Sequence, residues 1–572
     1  MLVISIICLI LSISVNSRRD YSILLSKISI IILVYTIYLN YNNINMLYEI
    51  ELFNSLLKIT NKVLYFATFI IILTTIIIFN NCFYPFYRYT LKFIDNKINI
   101  NNDNEYKINN FKENEYKVNT INNDDEYKVN KKNEQYKILE YPIIILFSII
   151  GSILLMFSND IVTIFLSIEL QSYGLYLLSA LFRNSESSIN AALTYFLLGS
   201  LSSCIILLGL SLLYLYTGTT NLENIYIINN IYGVIKDIPE FLNNNSLMLC
   251  KYIYIHYIYI QISFIILSIG LLFKISSAPF HFWSPDVYDA LPTIITTFVA
   301  IVPKISLLIF ISMFLNYTDF TFFDFNLSWN YSIIISSILS LIIGSILGLT
   351  QNRVKRLYAY STISHIGFML LALSINSLDS TRALIFYILQ YSLSNLNAFI
   401  LLLAMGYIYI DIKNKNIKIS KNISDFINNN YKKGINIKDI NYSPIQLITQ
   451  LKGFIYINPL ITISLIITLF SFVGIPPLIG FFGKQLIIIS ALDKGFIFAT
   501  FVSIITSVIS AVYYLFIIEI LCFHNNPFSI NKYNISVISN PLSLIISLLT
   551  LFILLFIAYD EELLKIVYII SI

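Results

Sequence analysis

Long apolar runs joined by short polar links make up most of this chain. A helix needs about 20 mostly apolar residues to cross a bilayer, and fourteen runs approach or exceed that length. The pattern therefore predicts an all-α polytopic membrane protein with about fourteen transmembrane helices. The predicted spans are 2–15, 21–39, 63–83, 141–157, 161–182, 189–216, 253–276, 293–315, 331–349, 358–373, 382–410, 459–485 (interrupted), 496–521 and 541–558.

Basic residues are concentrated in every second loop. When loops are counted from the first predicted helix, even-numbered loops such as 159–160 and 316–329 are free of Arg and Lys. The positive-inside rule places the odd-numbered loops in the matrix or cytoplasm, and both termini on the opposite side. Lys58, Lys62 and the 221–251 loop weaken this contrast without reversing it. The basic residues of the odd-numbered loops are Arg18, Arg19, Arg88, Lys92, Arg183, Arg353, Lys355, Arg356, Lys413 and Lys415.

The composition supports a membrane protein and excludes several other classes. The 572 residues are 57% hydrophobic and only 12% charged, against about 25% charged residues in a soluble domain. A net charge of +4, dispersed along the chain, gives no nucleic-acid-binding face. The five cysteines and four histidines are scattered and have no metal-ligand spacing. We therefore exclude a water-soluble enzyme and find no zinc or iron–sulfur motif.

Two polar insertions interrupt the apolar pattern. Residues 93–140 are rich in Asn, Lys, Glu and Tyr and contain an imperfect Glu-Tyr-Lys repeat. Its period of about ten residues is too short and too polar for a solenoid unit. Residues 411–457 have a similar composition. Both insertions are predicted to be solvated, variable loops rather than binding sites.

Four ionisable side chains stand out inside the predicted spans, where a charge costs about 3 kcal/mol or more. Glu169 lies in the fifth span, Lys274 at the end of the seventh, Lys304 in the eighth and Lys484 in the twelfth. The alternatives are a purely structural carboxylate for Glu169 and a snorkelling side chain for Lys274. His365, in the tenth span, is a weaker candidate for proton transfer, and a hydrogen-bonded core histidine explains it equally well.

Helix-breaking residues accompany two of these lysines. Lys274 precedes a Ser-Ser-Ala-Pro break that ends at Pro279, and Lys484 follows two prolines and three glycines in 474–483. Irregular backbone at membrane depth is tolerated only inside protein or beside a wet cavity. The two breaks are five spans apart, so the two halves run in opposite orientations, as in the inverted repeats of transporters. Trp283, just after the first break, is predicted to be an interfacial aromatic residue.

Three motifs resemble the antiporter-like membrane subunits of respiratory complex I. They are KISSAPFHFWSPDVYDALPT from Lys274, RLYAYSTISHIG from Arg356 and GIPPLIGFFGK, which ends at Lys484. All three are long and specific. The resemblance covers residues 141–521 and extends to the three N-terminal helices.

The resemblance implies a fourteen-helix subunit with two inverted five-helix repeats and discontinuous helices seven and twelve. Glu169 and Lys274 would form a coupled pair, Lys304 would be the central relay lysine, and Lys484 would serve the second half. The implied regions are N-terminal helices (1–92), a polar matrix loop (93–140), a first repeat (141–316), a second repeat with the 411–457 loop (317–522) and a C-terminal segment (523–572).

The resemblance also implies proton translocation in the mitochondrial inner membrane, driven by NADH-to-ubiquinone electron transfer in other subunits. This chain would hold no cofactor; NADH, FMN, iron–sulfur clusters and ubiquinone would bind elsewhere in the complex. Its partners would be neighbouring antiporter-like and small core subunits and the lipid bilayer, without nucleic acid. Two alternatives remain open on the residues alone: a cation/proton antiporter without redox coupling, and a structural membrane scaffold.

Overall fold

The computed structural model describes residues 1–15, 22–44, 49–80, 140–182, 185–236, 247–318, 329–419, 445–523 and 540–571. The described part is mostly helical. Nearly all of the 93–140 insertion and residues 420–444 of the second insertion lie outside it, as do Arg18, Arg19, Arg88, Lys92 and Arg183.

The helices follow the predicted spans closely, usually to within a few residues. In chain order they are α1 (Leu2–Val15), α2 (Ser22–Asn43), α3 (Asn61–Asn80), α4 (Tyr141–Phe157), α5 (Ile161–Ala180), α6 (Glu186–Thr217), α7 (Leu222–Lys236), α8 (Leu247–Ile275), α9 (Trp283–Ala290), α10 (Thr293–Thr318), α11 (Asn330–Leu349), α12 (Val354–Ile375), α13 (Leu378–Ile419), α14 (Pro459–Val473), α15 (Ile479–Asp493), α16 (Ile497–Cys522), α17 (Asn540–Leu554) and α18 (Asp560–Ser571).

Ten helices in the described ranges are long and apolar enough to cross a membrane. Four more, α1, α4, α14 and α17, are apolar but shorter. Two of the predicted spans are broken, as their prolines and glycines indicated. The seventh continues past its break as the short α9, and the twelfth divides into α14 and α15.

A short hairpin and one helix were not indicated by the sequence pattern. Strands β1 (Ile50–Leu52) and β2 (Leu57–Ile59) form an antiparallel hairpin, and part of the expected 221–251 loop is the helix α7. Lys58 joins these elements, since its ammonium lies 2.8 Å from Glu49 and 2.9 Å from Glu223. Partial burial lowers the pKa of Lys58, but hydrogen bonds to the two carboxylates outweigh burial and raise the pKa above its usual value.

The second polar insertion is not solvated throughout, contrary to the prediction for residues 411–457. Helix α13 runs on to Ile419, and after residue 444 the chain forms 3₁₀ turns at Ile448–Leu451 and Phe454–Tyr456. Leu451 and Phe454 are completely buried in these turns. The apolar residues at the end of the insertion therefore pack against the helices, because they can bury surface that the surrounding Asn and Lys residues cannot.

Helices α10, α12 and α13 form the interior of the molecule. Every residue of α12 except Arg356 and Tyr360 is buried. Glycines allow the closest helix pairs to approach: a Cβ on Gly151 of α4 would lie 2.6 Å from the backbone nitrogen of Gln171 in α5. Close backbone approach through small residues is typical of membrane helices, where the lipid is as apolar as the side chains.

Candidate functional site

The break after α8 leaves helix-terminal carbonyl groups that a nearby side chain and a backbone N–H satisfy. Trp283 donates its indole N–H to the Phe273 carbonyl at 3.0 Å, and the Ser277 backbone N–H donates to the Leu272 carbonyl at 3.1 Å. Trp283 is only 5% exposed. The prediction of an interfacial role for this residue is therefore wrong: its indole N–H is used inside the protein to terminate α8.

Glu169 and Lys274 face each other across α5 and α8. Their nearest atoms, Glu169 Oε1 and Lys274 Nζ, are 3.8 Å apart, and both side chains are mostly buried. The Lys274 ammonium also donates to the Tyr176 hydroxyl at 3.2 Å. The structure thus brings the expected pair together, and adds a tyrosine that the sequence reasoning did not include.

Lys304 is buried where the first break meets α12. It lies in α10 directly after Pro303 and is 1% exposed. Its ammonium donates to the Ser276 hydroxyl at 3.0 Å and to the Thr362 hydroxyl at 3.4 Å. Ser276 belongs to the break and adopts a positive φ of 67°. In the described part of the chain, Lys304 therefore has hydroxyl partners rather than a carboxylate.

Lys484 occupies the second break. Helix α14 ends at Val473, and α15 begins at Ile479. The Lys484 ammonium donates to the carbonyl groups of Phe472 and Val473, both at 2.8 Å. A cation is favourable at a helix C-terminus, where these carbonyls have no donor within the helix. The irregular segment is shorter than the glycines indicated, because Gly480 lies inside α15, where a Cβ would overlap the Ser471 carbonyl oxygen.

His365 lies between the two breaks. Its Nδ1 is 2.8 Å from the Tyr387 hydroxyl, and its ring packs against that of Phe472, with the centroids 5.3 Å apart and the planes tilted by 50°. Lys484 acts on His365 electrostatically and donates to the carbonyl of the same Phe472. His365 is therefore a buried, hydrogen-bonded core histidine, which was the alternative to a proton-transfer role, but it is also a neighbour of Lys484.

Buried polar groups connect these lysines through α12 and α13. Thr362, which accepts from Lys304, is one helical turn before His365. Tyr391 of α13 packs against the His365 ring and donates to the Ala300 carbonyl of α10 at 3.1 Å. Among the described residues, the fully buried amide of Gln390 has no hydrogen-bond partner. Buried polar groups are normally satisfied by protein or ordered water.

An ion-pair cluster joins α9 to the start of α12. Asp289 lies 2.5 Å from Arg353 and 3.2 Å from Arg356, and Arg356 also pairs with Asp286. Lys355, which was assigned to an odd-numbered loop, instead lies in α12, is 1% exposed and donates to the Leu291 carbonyl. That assignment failed because α9 packs over the first turn of α12, a long-range contact.

Sequence reasoning missed the hydroxyl partners of the charged groups. Tyr176 lies seven residues after Glu169, a spacing that places both on one face of α5. That spacing was a usable signal. Tyr387 and Thr362 offered none, because tyrosine and threonine are common in this chain and their partners belong to other helices. No group of three His, Cys, Asp or Glu side chains suited to a metal ion occurs in the part that the structure describes.

Comparison with known proteins identifies the family of the chain. The family model described as "NADH:quinone oxidoreductase/Mrp antiporter, TM" matches residues 158–427 and 435–510. NADH-ubiquinone oxidoreductase chain 2 of Rhizopus oryzae is 39% identical over 531 residues, which cover 92% of this chain and 86% of that protein. The chain belongs to the NADH:quinone oxidoreductase/Mrp antiporter membrane-subunit family. The lysine in the twelfth span also resembles that of chain 2, and the Rhizopus oryzae relative confirms this resemblance.

Solved structures of this family share the fold. A chain of respiratory complex I from Thermus thermophilus superposes with a TM-score of 0.66 at 20% identity, covering 99% of this chain and 97% of that one. A chain of the Mrp complex from Dietzia sp. gives a TM-score of 0.68 at 15% identity, with 100% and 95% covered. The chain therefore has the same fold as these two chains.

Proposed function

We propose that this chain is a proton-translocating membrane-arm subunit of an NADH:ubiquinone oxidoreductase, with the redox reactions performed by other subunits. The observation that carries the proposal is the placement of Lys274 and Lys484 at two breaks in the helical core, with Lys304 between them. Buried ionisable groups beside broken helices are typical of proton and ion pathways.

The proposed path begins at the Glu169–Lys274 pair. Burial disfavours a charged lysine and a nearby carboxylate favours it, so a change in their separation loads or releases a proton at Lys274. A proton released there moves through water and the hydroxyl of Ser276 toward Lys304, whose ammonium donates to that hydroxyl. Thr362, His365 and Tyr387 lead on toward Lys484.

The repeat organisation belongs to the same proposal. Fourteen helices cross the membrane, and residues 141–316 and 317–522 form two inverted repeats. Gly151 brings α4 close to α5, and Gly344 brings α11 equally close to α12, which are the corresponding pairs under a five-span offset. This likeness supports the repeats, with Lys484 corresponding to Lys274.

The proposal also includes the membrane in which the chain lies, its orientation and its partner subunits. The chain lies in the mitochondrial inner membrane with both termini on the intermembrane-space side and neighbouring antiporter-like and small core subunits as partners. NADH, FMN, iron–sulfur clusters and ubiquinone bind to other subunits of the complex, which is an H⁺-translocating NADH:ubiquinone reductase. The Rhizopus oryzae relative, named as a chain of that enzyme, supports this over the antiporter alternative.

Isolation of the native complex tests the proposal. An affinity tag on this chain should recover flavin- and iron–sulfur-containing subunits together with NADH:quinone reductase activity. Recovery of the chain with cation/proton antiport activity, but without redox subunits, would support the antiporter alternative. Unchanged proton pumping after Lys304→Ala would favour a scaffold role.

A further inference from the structure

The Glu169–Lys274 pair is longer than a hydrogen bond, and a third side chain contacts the lysine. Glu169 Oε1 and Lys274 Nζ are 3.8 Å apart, whereas a charge-assisted hydrogen bond measures about 2.7–2.9 Å. Lys274 instead donates to the Tyr176 hydroxyl at 3.2 Å. Within the described residues, Glu169 Oε1 is buried and accepts no hydrogen bond. The lysine therefore has two acceptors on α5 and is bonded to only one of them.

The surrounding residues fix the position of the Tyr176 ring. It packs edge-on against Tyr195 at 4.9 Å and against Phe196 at 5.6 Å, both in α6. Tyr195 in turn stacks on Trp283 at 4.7 Å, and Trp283 bonds to the carbonyl of Phe273, the residue before Lys274. The tyrosine is thus connected to the same helix break as the lysine that it contacts.

A glycine in α6 makes room for the hydroxyl. A Cβ on Gly199 would overlap the Tyr176 hydroxyl oxygen and lie 2.6 Å from its Cζ atom. Any larger residue at this position would force the ring of Tyr176 to move. The space for the phenol is therefore built into the packing of α5 against α6.

We propose that Tyr176 is a positioning residue that competes with Glu169 for the Lys274 ammonium and sets how readily their ion pair closes. The proposal rests on the proposed function. In the open arrangement Lys274 donates to Tyr176; a movement of about 1 Å toward Glu169 would close the pair to hydrogen-bond distance. Closure favours the charged form of the lysine, and opening favours proton release.

The pH dependence of activity reflects Lys274 together with the titratable groups around it. In the described structure, Glu169 and Tyr176 of α5 lie beside the Lys274 ammonium, whereas Tyr173 of α5 and Tyr195 of α6 are neighbours of Tyr176. Replacement of Tyr176 by Phe keeps the ring packing and removes only the competing acceptor. Lys274 then moves toward Glu169, and its proton is released at higher pH.

The test compares variants of the whole membrane-embedded complex. Quinone reduction and proton pumping are measured across pH for Tyr176→Phe, with Tyr173→Phe as the control. Tyr173 lies in the same helix, but its side chain is 54% exposed. We expect the alkaline limb of the Tyr176→Phe profile to move upward by about one pH unit, a tenfold change in proton binding, while the Tyr173→Phe profile matches the unaltered complex.

A second substitution, in α6, acts on the same hydroxyl group of Tyr176. Gly199→Ala should displace the Tyr176 ring and move the profile in the same direction. If Tyr176→Phe matches the unaltered complex while Lys274→Met abolishes pumping, the competition is refuted and the proposed function stands. If Lys274→Met pumps normally, both are refuted.

Discussion

Replacement of Lys484 separates a structural role from a proton-carrying one. Its ammonium is the donor to the carbonyls of Phe472 and Val473 at the end of α14, and the side chain is 7% exposed. Lys484→Met removes both hydrogen bonds in a site that water reaches poorly. A buried polar group left without a partner costs about 1–3 kcal/mol, so the two carbonyls together cost about 2–6 kcal/mol.

That cost is a large fraction of the stability of a typical domain, about 5–15 kcal/mol. We therefore expect Lys484→Met to reduce the amount of assembled subunit as well as proton pumping. Lys484→Arg should behave differently, because a guanidinium donates hydrogen bonds and keeps its charge but does not release its proton. It should assemble better than the Met variant and still fail to pump.

Native gel electrophoresis gives the amount of assembled complex, and a pH-sensitive dye in sealed vesicles gives protons moved per electron. Lys494→Met is the control, since that lysine follows the same helix and is exposed. Normal pumping by the Arg variant would refute a proton-carrying role for Lys484. Full assembly and unchanged thermal stability of the Met variant would refute the capping argument.

Three further predictions follow from the geometry. Lys304→Ala and Glu169→Gln should each impair proton translocation and coupled quinone reduction together, whereas Lys27→Ala, on the exposed face of α2, should leave both unchanged; pumping assays on the three variants decide this. Protease added to vesicles of known orientation should cut within 93–140 only from the matrix side, and cutting from the other side would reverse the topology. Asp289→Arg should lower the free energy of unfolding by roughly 1 kcal/mol or more, because Arg353 and Arg356 lose their shared carboxylate. Adding Arg353→Asp should restore part of that loss, and no restoration would count against the ion pair.

The membrane-length helices could be predicted because each is encoded locally. A run of apolar residues specifies a membrane-length helix without reference to the rest of the chain, and the prolines near Lys274 and Lys484 identified the breaks for the same reason. The hairpin at Ile50–Ile59 is different: its strands are three residues long and gain stability from Lys58, whose partner Glu223 is 165 positions away. Nothing in a local pattern indicates such a contact.

The candidate site was predictable in its charges and not in its hydrogen bonds. A buried Lys or Glu is rare enough to be noticed in any apolar span, which is how Glu169 and Lys304 were found. Their hydroxyl neighbours are ordinary residues of membrane helices. Thr362 becomes a partner of Lys304 only because α12 packs against α10, and Lys355 becomes buried only because α9 covers it.

The first break links two buried lysines, Lys274 and Lys304, through three consecutive residues. Lys274 and Ser276 are separated by Ile275 alone, and Ser276 accepts a hydrogen bond from Lys304. If proton uptake at Lys304 changes the closure of the Glu169–Lys274 pair through this short turn, closure of the pair changes the proton affinity of Lys304 by the same factor, because coupling between two sites is reciprocal. Such a connection has no preferred direction of its own. The direction of proton flow then comes from the driving force supplied outside this chain, and a reversed force would run the same steps backwards.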